Sequence, residues 1–308
     1  MNQFSHLNGK YTKISTSAYN KKMLVISMFF AFSITGCSTL PKHKTEYLAQ
    51  PTTTIDTSQT SLAQMIEPLQ KQHEGLTGYH VLFEPLEALA TRLRLIDRAE
   101  KTLDLQYYIW DNDKVGALAL HALIRAADRG VKVRLLIDDN NAKHTEGIFF
   151  ALAQHPNIEV RLFNPYRFRK YRSLDMVLDL KRINRRMHNK SFIADHQIAL
   201  IGGRNMTNQY YNVSDNYQFS DVDVMLFGTA VHEISDSFDD YWNHEYAYDV
   251  REIVSQKSHR LSYESLKQQL DEHYRRSTVQ NFLDLTRRTQ AIDEFLNRDL
   301  VLEWVKAE

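Results

Sequence analysis

Between Leu103 and Ile137 the chain runs strand, helix, strand, and that succession narrows the possible folds more than any other feature of it. Leu103 to Trp110 alternates apolar and polar side chains, as a half-buried strand does. Val115 to Arg129 puts Leu120, Leu123, Ile124 and Ala127 on one helical face. It ends at Gly130, the residue type best able to close a helix in the left-handed conformation. Val131 to Ile137 is a second strand. Strands joined through a helix pair in parallel with a right-handed crossover. The expected fold class is therefore α/β, a mixed, largely parallel β-sheet flanked by helices. A helix over Pro85–Lys101, with Leu89, Leu93 and Ile96 on one face, precedes this unit. Another is expected over Val231–Trp242, with Phe238 and Trp242 at i,i+4. Beyond Arg251 the chain reads as charged and helical to about Asn297, and Leu300 to Trp304 has the look of another strand.

The second constraint is chemical. Met187 to Asn205 reads MHNKSFIADHQIALIGGRN, with His188, Lys190 and Asp195 spaced His-x-Lys-x4-Asp, followed by Gly202, Gly203 and Asn205. Of the thirteen histidines, His188 alone has a lysine two places on. Alternate residues of an extended chain share a face, so His188 and Lys190 project together and Asp195 projects oppositely. An imidazole beside an ammonium suits attack on a phosphate ester: the ring is nucleophile or proton carrier, and the cation offsets charge developing on phosphate oxygens. Asp195 is expected to hold the turn behind the site. Gly202 and Gly203 would let backbone approach a bound anion, and the Asn205 amide could donate to a phosphate oxygen.

These residues resemble the phospholipase D superfamily, whose His-x-Lys-x4-Asp signature is followed by Gly-Gly/Ser-x-Asn. The stretches Ala99–Trp110 and Ala126–Asn141 look like the phospholipase D-like cardiolipin synthases, especially their C-type bacterial branch. The resemblance implies a phosphatidyltransferase working through a phosphohistidine at His188, with Lys190 and Asn205 holding the phosphate and no metal or organic cofactor. It also implies an acidic residue against the histidine, for which Asp221 is the candidate and Asp223 the alternative, both on a strand expected over Ser220–Gly228. Water as acceptor would make the same site a phospholipase D, and a homodimeric nuclease or a non-catalytic fragment are the other readings. The resembling lipid enzymes carry two such motifs and this chain only one. Residues 76–250 are thus expected to be the catalytic module, and 251–308 a helical linker with the start of a truncated second module. The second half in cis, or a homodimer partner, is the expected complement.

Lys+Arg and Asp+Glu balance at 38 each over 308 residues, so overall charge does not select nucleic acid. The local exception is Arg167 to Arg186, where eight basic residues stand against Asp175 and Asp179, with Tyr166, Phe168 and Tyr171 interleaved. That mixture suits an anionic phospholipid membrane, with a nucleic-acid backbone or a solvated loop as the alternatives. Asp138 and Asp139, where the second strand ends, suggest loop and cap duty ahead of a metal site.

The single cysteine, Cys37, closes an apolar run that follows Lys21-Lys22 and ends Ile-Thr-Gly-Cys. This resembles a bacterial lipobox, which makes residues 1–37 a lipoprotein signal peptide and 38–75 a flexible tether. The expected location is the cell envelope, lipid-anchored at Cys37 and facing the periplasm, with Ser38 favouring the outer membrane. Labelled palmitate should enter the protein and be lost in Cys37→Ser; unlabelled wild-type protein with an intact amino terminus would refute this.

Overall fold

The computed structural model of the chain describes residues 40–43, 54–214, 217–255, 261–287 and 302–306, and α-helices and strands alternate strictly from residue 61 to 163. The proposed signal segment and Cys37 lie outside these residues, as does the expected helical stretch from 288 to 297. All elements below belong to the unit that starts at Pro41. In chain order they are α1 (Ser61–Gln72), β1 (Thr77–Leu82), α2 (Pro85–Arg98), β2 (Thr102–Tyr107), α3 (Lys114–Asp128), β3 (Lys132–Asp138) and α4 (Glu146–Leu152). Then come β4 (Ile158–Phe163), α5 (Arg172–Leu178), α6 (Leu180–Ile183), β5 (Ser191–Ala194), β6 (Ile198–Gly202), β7 (Asp223–Gly228) and α7 (Thr229–Trp242). The last are β8 (Ala247–Asp249), α8 (Val250–Ile253), α9 (Tyr263–Tyr274), α10 (Ser277–Arg287) and β9 (Glu303–Val305).

The described strands form one sheet in the order β8-β4-β3-β2-β5-β6-β7-β1-β9. The helical crossovers α3 and α4 make β2–β3 and β3–β4 parallel, with Leu103 opposite Val133 and Val133 opposite Ile158. Every other described ladder is antiparallel, so the sheet is mixed but not largely parallel. The reason is local: β5 and β6 are joined by a tight turn at Asp195-His196, whose φ values of 49° and 53° are those a type I′ hairpin needs.

Alternation along the strands divides the core. Leu103, Leu105, Val133, Leu135 and Ile137 pack with α2, α3 and α4 on one face. Leu136, Ile193 and Ala199 pack with Phe238 and Trp242 of α7 on the other. The second face carries a buried charge cluster, in which Arg134 pairs with Asp104 at 2.7 Å and Asp239 at 2.6 Å.

One boundary expectation needs correction. Residues 61–72 are not tether: α1 continues past Pro68, and Leu62 and Ile66 are buried in the main core. The expected tail strand is present as β9 and joins this sheet at its edge. β9 pairs antiparallel with β1, and Trp304 covers Gly78, where a Cβ would stand 3.0 Å from the indole. The removal of Trp304 from water is the driving force.

Candidate active site

His188 and Lys190 lie in the extended segment leading into β5, and their side chains share a face as the alternation requires. The ammonium Nζ of Lys190 is 3.0 Å from His188 Nδ1 and 3.3 Å from Nε2, and it donates to the His188 carbonyl at 2.7 Å. His188 is exposed, whereas Lys190 is buried beneath it. Partial desolvation and the Lys190 charge hold the imidazole below its ordinary range, against the opposing pull of Asp221. Burial likewise lowers Lys190, again opposed by Asp221. The result is a neutral, accessible ring backed by a positive charge, a combination suited to attack on an anion.

Register explains why this pair meets an aromatic wall. Gln106 of β2 lies opposite Ser191 of β5, so Tyr108 arrives beside His188 with ring centroids 4.8 Å apart. Lys190 Nζ lies 5.6 Å from the Tyr108 ring centre. Asn140 donates to the Tyr108 hydroxyl at 3.2 Å and accepts from the Tyr166 hydroxyl at 2.7 Å. None of these three was predicted; the tyrosine pair at the end of a strand was a signal, but its partner strand was not visible in the sequence.

Asp138 fixes the segment from behind, accepting from the Met187 N–H at 2.8 Å and pairing with Arg186 at 3.0 Å. Asp139 accepts from the Tyr166 N–H and pairs with Arg169 and Arg172. The two carboxylates therefore serve the loop, as the first of their two readings holds. The basic segment changes character for the same reason. Arg167, Arg169, Arg172, Arg182 and Arg186 all turn to carboxylates of this chain, so most of its charge is neutralised internally.

Asp195 sits fully buried on the opposite side, where its carboxylate accepts from the N–H groups of Glu100, Lys101 and Thr102 at 2.7–3.0 Å. Burial nonetheless leaves its pKa above the ordinary carboxylate value. Asp195→Ala would strand three donors. At about 1–3 kcal/mol per buried unsatisfied group, the loss is about 3 kcal/mol or more, or roughly 10 °C in melting temperature for a domain of this size. Calorimetry that finds an unchanged melting temperature would remove the structural assignment.

Three further motif residues are placed by contacts within the chain. The Asn205 carbonyl accepts from the Ile109 N–H at 2.9 Å and its amide donates to the Tyr210 hydroxyl at 3.0 Å. It is buried, and clamps the segment after β2 to the segment after β6. Gly202 and Gly203 make room for carboxylates. A Cβ on Gly202 would stand 2.1 Å from Asp223 Oδ1, and one on Gly203 would stand 1.9 Å from Asp221 Oδ1. β7 begins at Asp223, not Ser220, so the two acids part company. Asp223 is buried against Arg92 at 2.9 Å and Arg204 at 3.3 Å, while Asp221 remains part-exposed with its charge acting on His188 and Lys190.

Comparison with known proteins agrees with this geometry. Residues 93–242 match the family model described as "Cardiolipin synthase, PLD-like domain". Cardiolipin synthase C of Escherichia coli K12 is 49% identical over 181 residues, covering 59% of this chain and 38% of that protein. The major cardiolipin synthase of Bacillus subtilis is 32% identical over 149 residues, covering 48% and 29%. The chain thus spans well under half the length of either relative. Among solved structures, the phospholipase D family member Nuc of Salmonella typhimurium aligns with a TM-score of 0.42 at 19% identity, covering 56% of this chain and 97% of that one. With His188 and Lys190 held together at one end of the central strand β5, residues 93–242 form a phospholipase D-like domain similar to those of cardiolipin synthases.

Proposed function

We propose that this chain carries one half of a phosphatidyltransferase site. His188 attacks the phosphorus of a phospholipid phosphodiester, forming a nitrogen–phosphorus bond as the bond to the leaving alcohol breaks. An incoming alcohol, such as the head group of phosphatidylglycerol, then takes the phosphatidyl group and frees His188. Lys190 offsets the charge on the phosphate oxygens in both steps. The observation that carries this reading is the exposed imidazole backed by a buried ammonium at 3.0 Å.

The leaving alcohol needs a proton, and a second motif would supply it. No other histidine of this sequence has a lysine two places on. His121, His155 and His196 are buried and hydrogen-bonded to Asp271, Asp128 and Ser235. The complement is therefore a second module in cis or a second copy of the chain. Incubation with labelled phosphatidylglycerol tests the reaction class. Cardiolipin with released glycerol is expected; phosphatidic acid alone would make water the acceptor, and nicking of plasmid DNA without lipid turnover would replace the proposal with a nuclease. Sedimentation on the same sample separates the two complements, since an active stable dimer excludes the need for a second module.

A further inference from the structure

Helix α5 and the turn into α6 are inside out. Arg172 faces inward and donates to the carbonyl of Asp139 at 2.7 Å. Asp175 is fully buried and accepts from the Phe168 N–H at 2.9 Å. Leu174, Met176, Val177, Leu178 and Leu180 point outward instead, Val177 being 81% exposed. A contiguous apolar surface of this kind on a protein marks a contact site. Its rim is cationic: Lys170, Lys181 and Arg185 are exposed and pair with no carboxylate among the described residues. Asp175 and Asp179 are turned to Arg182 and Arg167, so the outward face carries little negative charge.

We infer that residues 170–185 dock onto an anionic phospholipid bilayer, with the leucines, Met176 and Val177 in the interface and the three cations at the phosphates. An apolar face with a basic rim and no acidic group is complementary to such a surface. A second copy fits less well, because twofold packing would set the same cations against one another. No helix among the described residues is long and apolar enough to cross a membrane, so the contact lies on the surface. The site follows directly: Arg186 pairs with Asp138, which holds the Met187 N–H next to His188. Docking would therefore bring the catalytic face to the layer that contains phosphodiesters. This deepens the proposed function and rests on it only for the substrate, since membrane contact does not require turnover.

The test places a reporter at the centre of the patch. Val177→Cys in a Cys37→Ser background is labelled with an environment-sensitive fluorophore and mixed with vesicles. Emission should rise and shift to the blue with equal parts phosphatidylglycerol and phosphatidylcholine, and not with phosphatidylcholine alone. Lys170→Glu, Lys181→Glu and Arg185→Glu together should abolish the shift with circular dichroism unchanged. An unshifted label, whether or not the protein floats with the vesicles, overturns the inference. So does a shift that appears without vesicles and grows with protein concentration, which would mean packing on a second copy. Turnover is not read, so failure of the catalytic proposal leaves this result intact.

Discussion

His188→Ala is expected to lower phosphatidyl transfer by about a thousandfold or more, since it removes the group proposed to bond to phosphorus. The melting temperature should not change, because the side chain is exposed and few packing contacts are lost. Lys190→Ala should lower turnover by about a hundredfold to a thousandfold through lost stabilisation of the phosphate charge. Lys190→Arg should fail as well. The ammonium fits between the His188 ring and the His188 carbonyl, at 3.0 and 2.7 Å, in a buried slot. A planar guanidinium is larger and cannot place a point charge there. Assays on the form that turns over labelled phosphatidylglycerol, paired with calorimetry, would decide. Activity within tenfold of wild type in either alanine variant would overturn the catalytic assignment.

The meeting of His188 and Lys190 was legible because its requirement is local. Two residues of an extended segment share a face whatever the rest of the chain does, and Asp195 takes the other side for the same reason. The strand–helix–strand order between Leu103 and Ile137 was legible on similar grounds, being set by hydrophobic period and a glycine stop. What depended on distant pairing was not. Tyr108 reaches His188 only because β2 lies antiparallel to β5, and nothing near Tyr108 announces that neighbour. The glycine pair was read for a bound anion, and the room it also leaves for Asp221 and Asp223, some twenty residues away in sequence, was not visible. Charge counting failed in the basic segment because it gives no direction. Five of eight cations turn inward, and the apolar residues between them turn out.

Asp221 was the candidate for the acid against His188 and Asp223 the alternative, and the structure predicts opposite consequences for their loss. Asp223 is fully buried between Arg92 and Arg204, themselves 2% and 1% exposed. Asp223→Ala leaves two guanidinium groups buried beside one another without their shared carboxylate. Breaking a buried pair in this way costs about 3–5 kcal/mol, or roughly 10 °C or more in melting temperature. Asp221→Asn should leave stability unchanged and act on titration. The Asp221 carboxylate favours the protonated form of His188, so its removal pushes the imidazole pKa further below the ordinary value. A nucleophile must be neutral, and the rate therefore rises as pH increases through that pKa. The ascending limb of the pH–rate profile should move to lower pH in Asp221→Asn and stay in place in Asp223→Asn. The reverse outcome, a displaced limb at unchanged melting temperature in the Asp223 variant, would exchange the two roles. A limb that falls with rising pH in the wild type would instead make His188 the general acid, with the nucleophile supplied by the complementary half.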